Sequence, residues 1–391
     1  MPVDSWSRAH RTPGNNEKFA AYASRLRVFA CNHSLASAVA SFSYQSDRAW
    51  TELDSQLTRP VNDPRRNAFH YMRVTSNLLL PFLSAINRRS QFTILIFHRV
   101  LERQDPVRSD LDSRAFESIL ATVAKHFRVL PLTEAIQRWQ NNDLPGNSLS
   151  ITFDDGYSDN FHIALPVLHR LGLPATFFVA TGFLNGGWMW NDGVIEAVAQ
   201  TQESVLDLSP LGLGLYRVAT VEDRKKAIVS IIPKLKYRNK EERISAAGRI
   251  LNIAAVDPPN GLMMGKDEVR LLHRSGMEIG GHTVDHPILA TLEDAEAFRQ
   301  IKDNKDRLEE LLGRRITMFA YPNGKPGTDY GPQHKNMVRD AGYSAAVSTV
   351  WGCANERSDA YELPRFTPWD RSPSLFTLRL IRQCIKCRYA R

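Results

Sequence analysis

The chain lacks any long run of apolar residues, and this absence bears on where it can reside. A transmembrane helix needs about 20 mostly apolar residues, whereas the best apolar segment, residues 78–86, is far shorter and is interrupted by Pro81. The first eight residues also lack the basic-then-apolar order of a secretory signal peptide. As written, the sequence predicts a protein with neither an export signal nor a membrane span, cytoplasmic by default.

Cysteine is scarce, with four residues at positions 31, 353, 384 and 387. Cys384 and Cys387 have CxxC spacing, but no second pair completes a four-cysteine zinc site. The βαβ pattern that surrounds a redox CxxC motif is also missing. The thiols are therefore interpreted as incidental, and they do not fix the cellular compartment.

Acidic residues are missing from one end of the chain and sparse at the other. Residues 371–391 carry six Arg or Lys and no Asp or Glu, while residues 1–90 carry 12 basic against 6 acidic residues. Each end is thus +6, so the middle, 91–370, is −4 within a net charge of +8. The ends are expected to be solvated tails, with peripheral contact to a membrane or an anionic polymer as the alternative. Aromatic residues are not interleaved with these charges, so no nucleic-acid partner is expected.

Strand-like and helix-like segments alternate from Phe92 onward, which predicts parallel βα units. The predicted strands cover residues 93–97, 148–153, 175–180, 277–280, 316–320, 344–348 and 363–366. The predicted helices cover residues 113–126, 133–141, 160–171, 266–275, 293–312 and 332–342. Seven such strands favour a closed or nearly closed barrel with its site at the carboxyl ends of the strands.

The remaining segments complete the predicted organisation. Residues 1–90 form a basic extension, weakly ordered or helical, within which Met72 is an alternative start that would leave 1–71 untranslated. Residues 91–370 form the catalytic domain, and 371–391 form a basic tail. Residues 196–259 form an insertion, helical around 221–253, that either packs at the barrel mouth or has no part in substrate choice.

Two distant segments carry the residues suited to chemistry. Asp154 and Asp155 follow an apolar run that is typical of a buried strand. His282 and His286 stand four residues apart after another such run, and this spacing places both imidazoles on one face of a helical turn. A carboxylate and two histidines with one open position are typical of a catalytic metal site. The other aspartate is then free to act as a base on water that the metal activates.

These motifs, with four further segments in the same order, resemble the polysaccharide deacetylases, carbohydrate esterase family 4, also called the chitooligosaccharide-deacetylase homology domain. The resemblance is carried by residues 94–100, 150–157, 175–179, 278–289, 319–324 and 363–366. It implies an α/β fold, a distorted (β/α)7 barrel, here with a helical insertion and an N-terminal extension. It also implies a hydrolase acting on carbon–nitrogen bonds other than peptide bonds.

The resemblance implies a role for each residue of the two motifs. Asp154 is expected to be the general base, and Asp155, His282 and His286 are the expected ligands of a divalent metal, zinc first. The Thr283 hydroxyl is expected to support the site.

The sequence departs from the common family pattern in two places. The third motif usually carries an arginine that orients the base, but this chain has Ala320 and Tyr321 there. A late histidine usually serves as the general acid, and no histidine follows His334.

Candidate replacements exist for both missing residues. His98 resembles the acid of a rearranged subgroup, the biofilm poly-N-acetylglucosamine deacetylases, in which this histidine lies on the first strand; the alternative is a buried structural imidazole. Arg365 is the candidate for the arginine, with Arg99 as its competitor.

Substrate-binding residues are expected at the third motif and in one loop. Tyr321, Pro322 and Asn323 are assigned to substrate contact, with a main-chain N–H after Tyr321 facing the oxyanion. Trp188, Trp190 and Tyr321 are candidate walls of a sugar cleft, with Trp369 as a further aromatic. The alternative for large aromatics in a barrel is a place in the core.

The function expected from the resemblance is removal of N-acetyl groups from N-acetylated sugars of a polysaccharide or glycolipid. Two alternatives stay open. One is an amidohydrolase of the same fold acting on small cyclic amides, and the other is a glycan-binding protein whose active site has decayed.

Overall fold

The computed structural model describes residues 91–389, so the predicted extension 1–90, the alternative start at Met72 and the last two residues lie outside the described residues. The strands of this part are β1 (Thr93–Phe97), β2 (Val100–Leu101), β3 (Leu111–Asp112), β4 (Arg128–Val129), β5 (Ser148–Phe153), β6 (Thr176–Val179), β7 (Val205–Asp207), β8 (Leu215–Arg217), β9 (Glu278–Gly281), β10 (Met318–Ala320), β11 (Ala345–Trp351) and β12 (Leu363–Arg365). The helices are α1 (Ser113–His126), α2 (Leu132–Gln140), α3 (Leu165–Leu171), α4 (Trp190–Gln200), α5 (Val221–Lys236), α6 (Lys240–Ile253), α7 (Lys266–Arg274), α8 (Asp294–Leu312), α9 (Pro332–Asp340) and α10 (Pro373–Tyr389).

Seven parallel strands form the central barrel in the order β1-β5-β6-β9-β10-β11-β12. β1 and β5 are buried at every position, as expected for strands covered on both faces. The last strand returns to the first, because the Ile96 N–H donates to the Phe366 carbonyl (3.0 Å) and the Phe366 N–H donates to the Ile94 carbonyl (2.7 Å). The sheet is therefore a nearly closed, distorted (β/α)7 barrel, which confirms the predicted fold class.

Side chains on successive strand residues enter different core clusters. Phe177 packs with the helix-facing cluster, which includes Phe116 of α1, whereas its neighbour Phe178 belongs to a cluster with Ile94 and Met318. This alternation follows from the two-residue period of a strand. The barrel is thus packed on both faces, and its carboxyl-end loops are left to carry the site.

The insertion has a hydrophobic cluster of its own. β7, β8, α5 and α6 pack with α4 around buried residues that include Leu206, Ile231 and Ile250. The single helical stretch predicted for 221–253 is two helices, since α5 ends at Lys236 and Asn239 caps α6 by accepting the Glu242 N–H.

The carboxyl end of the chain differs from the expected solvated tail. α10 spans Pro373–Tyr389, and its Phe376, Leu380 and Cys384 are buried in the main core cluster. Their spacing of four residues places them on one face of the helix. The prediction of a solvated tail is therefore wrong for residues 373–384. Basic residues dominate the composition of this segment and obscure its apolar face.

The other predicted elements agree with the structure apart from small shifts in their limits. The predicted helix 160–171 begins with a π-helical turn, Asn160–Ala164, before α3. Within residues 91–389, no helix has the length and apolar character needed to cross a membrane.

Candidate active site

Three predicted metal ligands meet at the carboxyl ends of two barrel strands. Asp155 follows β5, and His282 and His286 follow β9. Each offers one ligand atom, and these atoms lie within 4.8 Å of one another. Asp155 and His282 are buried, while the side chain of His286 is 18% exposed, which leaves the cluster open toward one side.

The distances within this cluster fit a metal ion better than direct hydrogen bonds. Asp155 Oδ1 lies 3.3 Å from Nε2 of His282 and 3.3 Å from Nε2 of His286, yet this buried oxygen has no hydrogen-bond partner. Two atoms bound at about 2.0–2.1 Å to one tetrahedral metal are about 3.3–3.4 Å apart. The donor set and its spacing therefore suit a divalent cation such as zinc.

The loops that present the ligands have unusual backbone conformations. Eight non-glycine residues among the described ones have positive φ, and they include Asp155 (77°), Thr283 (63°) and His286 (53°). Such conformations cost free energy, about 1–3 kcal/mol each, and persist where the surroundings enforce them. Here they turn the ligand side chains toward one point.

The surroundings shift the pKa values of the two histidines in opposite directions. His282 donates its Nδ1–H to the Ala320 carbonyl oxygen (2.7 Å), which turns Nε2 toward Asp155. Burial lowers the pKa of this imidazole, but the Asp155 and Asp154 carboxylates outweigh burial and raise the pKa. Burial lowers the pKa of His286 to about 4, which keeps its imidazole uncharged near neutral pH. Burial opposes ionisation of Asp155, but its histidine neighbours outweigh burial and hold its pKa below the ordinary value. Once a metal ion displaces any proton on His282, the cluster offers one anionic and two neutral ligands.

Thr283, Gln300 and Asn304 hold the loop between the two histidines. Thr283 Oγ1 accepts the His286 N–H (3.1 Å), as the resemblance suggested. From α8, Asn304 accepts the His282 N–H (3.0 Å) and donates to the Val179 carbonyl (3.0 Å). Gln300, one turn earlier, accepts the N–H of Asp285 (2.9 Å). Neither Gln300 nor Asn304 was predicted from the sequence; their signal is two amides, i and i+4, on the buried face of a helix.

The insertion also contacts this loop. Lys240, at the start of α6, pairs with Asp285 at 2.7 Å, and Asp285 lies between the two histidines in sequence. The insertion therefore contacts the loop that presents the ligands, on the side of the barrel mouth.

Of the two candidate arginines, only Arg365 pairs with Asp154, the neighbour of Asp155. Two bonds of 2.7 Å join the guanidinium to the two carboxylate oxygens, and both side chains are buried. Burial would raise the pKa of Asp154, but Arg365 outweighs it and the pKa is lowered. Arg99 instead donates to Asp159 (2.8 Å). The geometry therefore places Arg365, and not Arg99, against the predicted base.

His98 lies directly after β1 and is exposed. Its positive form would act electrostatically on Asp154, Asp155 and His286, so it belongs to the same neighbourhood. The alternative of a buried structural imidazole is wrong, because the side chain faces solvent.

The third-motif residues divide between core and site. Tyr321 is buried, stacks on Tyr330 with ring centroids 3.8 Å apart and donates its hydroxyl to the Tyr361 carbonyl (3.0 Å). Its expected place in a sugar cleft is therefore wrong. Pro322 has no N–H, and the Tyr321 N–H donates to the Val347 carbonyl (3.2 Å). The first N–H after Tyr321 is that of Asn323, a half-buried residue with positive φ.

The two loop tryptophans pack against the insertion rather than standing free. Trp188 and Trp190 border the cluster of α4, α5 and α6. Trp188 lies so close over Gly193 that an added Cβ would come within 2.4 Å of its ring. Arg243 lies over the Trp190 ring at 5.6 Å. Both rings are half-buried, so any contribution to a cleft would come from their edges. Trp369, by contrast, is 61% exposed beside Trp351.

Comparison with known proteins assigns the family. The family model described as polysaccharide deacetylase matches residues 141–208 and 220–346, which include both aspartates and both histidines of the site. The chain belongs to the polysaccharide deacetylase family. His98 and Arg365 lie outside the matched residues.

Two curated relatives and one solved structure illustrate the similarity. The peptidoglycan-N-acetylmuramic acid deacetylase PdaC of Bacillus subtilis is 39% identical to this chain over 70 residues, which are 18% of the chain. The putative polysaccharide deacetylase YxkH of the same organism is 21% identical over 215 residues, which are 55% of the chain. These matches span only 15% and 49% of the two relatives. The Streptococcus pyogenes deacetylase PplD, solved in complex with acetate, has a TM-score of 0.51 at 18% identity, covering 75% of this chain and 98% of its own; this likeness shows the fold of this deacetylase family.

Proposed function

We propose that the protein is a divalent-metal-dependent deacetylase that removes N-acetyl groups from the sugars of an N-acetylated polysaccharide or glycolipid. The observation that carries the proposal is the orphaned, buried Oδ1 of Asp155, 3.3 Å from two imidazole nitrogens, beside a second carboxylate held by Arg365. Family membership supports the reaction class, and the names of the relatives support a glycan substrate.

Asp155, His282 and His286 would hold the metal, with zinc the first candidate because tetrahedral nitrogen and oxygen coordination suits it. When bound, the ion supplies Lewis acidity toward the acetyl carbonyl and lowers the pKa of a water molecule. The protein holds the ligand side chains in position. In the loop of the two histidines, hydrogen bonds to the Ala320 carbonyl, Asn304 and Thr283 provide this support.

Asp154 is the proposed general base. Its bidentate bonds to Arg365 orient both carboxylate oxygens and keep the group ionised, since the guanidinium lowers its pKa. An ionised carboxylate in a fixed position can accept a proton from the attacking water throughout the neutral range. The low pKa reduces its basicity, so precise placement is the larger part of its contribution.

His98 is the proposed general acid that protonates the leaving amine. It stands exposed at the end of β1, next to the strand that carries the two aspartates, and β1 pairs with β5 in parallel up to Phe97 and Phe153. An exposed imidazole at this edge can meet a sugar amine from solvent. With this role for His98, the chain would resemble the subgroup that has its catalytic histidine on the first strand.

The N–H of Asn323 is the proposed donor to the oxyanion. In the part of the chain that the structure describes, this N–H meets no main-chain acceptor, and the Thr349 hydroxyl fixes the residue by donating to its carbonyl oxygen (2.7 Å). A fixed N–H aimed at developing charge is typical of an oxyanion hole.

The test measures acetate release from N-acetylglucosamine oligomers and from small cyclic amides, after chelation and after zinc is restored. The proposal expects release from the oligomers, loss with a chelator and recovery with zinc. The His282→Ala variant should lose both bound metal and turnover, because one of three protein ligands is gone. Full metal occupancy in that variant, or release from cyclic amides alone, would contradict the proposal.

A further inference from the structure

Three thiols that are distant in sequence meet where α10 packs on the barrel. Cys353 follows β11, and Cys384 and Cys387 lie one turn apart on α10. Cys353 and Cys384 are buried, whereas Cys387 is half-buried. The sequence interpretation of incidental thiols in a tail is therefore incomplete, because α10 carries the CxxC pair into the core beside a third cysteine.

The contacts differ among the three sulfurs. The Sγ atom of Cys387 accepts the main-chain N–H of Cys353 (3.1 Å) and the side-chain amide of Gln383 (3.3 Å). The Thr93 hydroxyl donates to Cys353 Sγ (3.7 Å) and lies 3.9 Å from Cys384 Sγ. Two N–H donors on one sulfur stabilise its negative charge, so Cys387 is the thiolate of the group.

The acidities follow from these contacts. A hydrogen bond from the Cys353 thiol, supported by the N–H donors, lowers the pKa of Cys387 to about 7. Hydrogen bonds to Cys384 and Cys387, together with burial, raise the pKa of Cys353 well above its ordinary value. The pair therefore consists of a reachable thiolate and a buried thiol, the arrangement that thiol–disulfide exchange uses.

Two other uses of three thiols fit less well. Among the described residues, three ligand atoms of metal-binding type come within 4.8 Å of one another only at Asp155, His282 and His286, so the sulfurs are not gathered as one ligand set. A bridge within α10 is also disfavoured, because Cβ atoms three residues apart on a helix are about 5–6 Å apart and a disulfide needs about 3.5–4.5 Å. Cys353 is thus the natural partner for a thiol of α10.

We propose that Cys353 and Cys387 form a redox-active pair that closes to a disulfide by exchange with a small-molecule disulfide. The Cys387 thiolate attacks one sulfur of that disulfide, forms a mixed disulfide and releases one small thiolate, which takes the proton of Cys353. The Cys353 thiolate then attacks Cys387 Sγ and releases the second small thiolate. One small disulfide is reduced to two thiols, and two cysteines are oxidised.

The bridge would fasten α10 to the strand end that borders the site. Gly352 donates its N–H to the Arg365 carbonyl oxygen (3.2 Å), and Gln383 of α10 donates to the Trp351 carbonyl (3.5 Å). Closing the pair therefore stiffens the connection to the strand that presents Arg365. The inference does not depend on the proposed catalytic function, since its test counts thiols.

The test uses the full chain with Cys31→Ser, which leaves the three thiols of interest. The protein is incubated with oxidised glutathione, free thiols are titrated, bridged peptides are identified by mass spectrometry, and thermal unfolding is measured with and without a reductant. We expect the free thiols to fall from three to one, a bridge between the peptides of Cys353 and Cys387, and a Tm several degrees higher that reverts on reduction.

Single variants in this background separate the possible partners. Cys384→Ser should keep the bridge, and Cys387→Ser, at a half-buried position, should fold and lose it. Three free thiols after incubation, a glutathione adduct that stays on Cys387 without a bridge, or a bridge to Cys384 would each overturn the proposal. Co-purified zinc that shields all three thiols from titration would overturn it as well.

Discussion

At the scale of single residues, two adjacent carboxylates are sent into different environments. Successive side chains at a strand end point in different directions. Asp154 meets a guanidinium, and Asp155 meets two imidazoles. In the proposed function the same residue type would therefore serve twice, once as an oriented base and once as a metal ligand, and the difference would come from its neighbours.

Replacing Arg365 should move the pH dependence of the reaction. In Arg365→Met, the buried Asp154 loses the charge that lowers its pKa, so burial prevails and its pKa rises. Since the base must be ionised, the acidic limb of the kcat/KM profile should move to higher pH. The measurement is kcat/KM for an N-acetylglucosamine oligomer against pH.

The matched control for this prediction is Arg99→Met. Arg99 is another largely buried arginine near the site, but it pairs with Asp159. Its loss should leave the acidic limb in place. Removing one partner of a buried ion pair costs about 3–5 kcal/mol, so Arg365→Gln, which also removes the charge but keeps a hydrogen-bond donor, is the fallback if Arg365→Met does not fold. An unmoved limb in a folded Arg365→Met variant would assign the base elsewhere.

Replacing His98 should slow the reaction in proportion to the need for a proton on the leaving group. His98→Ala removes an exposed side chain, so thermal unfolding and metal content should stay unchanged. Turnover of an alkyl amide should fall by about 10²–10⁴-fold, and that of an acetanilide by much less, because its leaving group is better. Steady-state rates on the two substrates give the comparison.

The control here is His169→Ala, which removes an exposed histidine from the outer helix α3. It should leave both substrates unaffected. Equal losses on the two amides in His98→Ala would leave the chain without an identified acid and would favour a decayed active site.

The residues of the site were predictable to different extents. Asp154, Asp155, His282 and His286 stand in short local motifs at strand ends, so their meeting was predictable. The helical turn predicted from the i,i+4 spacing of the histidines is wrong, because residues 282–286 form a loop in which Thr283 and His286 have positive φ. The choice between Arg365 and Arg99 depended on which guanidinium a closed barrel brings to Asp154, and no local pattern contains that information. Tyr321 was misplaced because an aromatic at a strand end can face either the cleft or a neighbouring ring.

At the scale of elements, α8 is the helix that holds residues 282–286, the loop that carries the proposed metal ligands His282 and His286. Its buried face is apolar at Ala297, Ile301 and Leu308, and two polar residues, Gln300 and Asn304, interrupt this face where it meets the loop. The helix thereby both packs the barrel and supplies the hydrogen bonds that hold His282 and Asp285. Space there is tight, since a Cβ on Gly281 would come within 2.7 Å of the Asn304 oxygen.

Replacing Asn304 should weaken metal binding without touching a ligand. Asn304→Ala leaves the His282 N–H and the Val179 carbonyl without their partner, so the loop loses its fixed position. Loss of such an outer contact typically costs about 10–100-fold in metal affinity. Competition with a chelating dye measures this affinity, and Lys302→Ala, which removes only a pair with Asp306 on the outer face, is the control. Unchanged affinity would show that the strand alone positions His282.

The limits of helices and strands in the barrel were predictable because apolar runs and glycine stops mark them locally. The packing of α10 was not predictable from the sequence. Basic residues dominate its composition, and only the folded barrel shows that Phe376, Leu380 and Cys384 are buried against it. The division of 221–253 into α5 and α6 likewise depends on a single cap, Asn239, within a continuous charged stretch.

At the scale of the whole molecule, charge and chemistry are separated along the sequence. The site residues lie between His98 and Arg365, within the part that carries −4, while residues 1–90 carry +6. Of the last 21 residues, also +6, those up to Cys384 belong to a packed helix. Among the described residues, the positive charges named around the site, Arg365, Arg99 and Lys240, are each paired with a carboxylate. The basic extension is therefore a candidate for contact with an anionic surface.

A chain that begins at Met72 should keep the chemistry and lose part of any attraction to anionic surfaces. The hydrogen bonds and ion pairs described for the site involve residues from His98 onward, and the barrel begins at Thr93. The kcat/KM for a soluble N-acetylglucosamine oligomer should therefore stay within about twofold of the full chain, as for changes remote from a site.

The removed residues carry nine Lys or Arg against six Asp or Glu, so sedimentation with anionic vesicles should weaken at low salt, and the difference should shrink as salt screens the charges. The same assay with neutral vesicles is the control. A shortened chain that folds, binds zinc and no longer releases acetate from the oligomer would show that residues 1–71 take part in the active site itself.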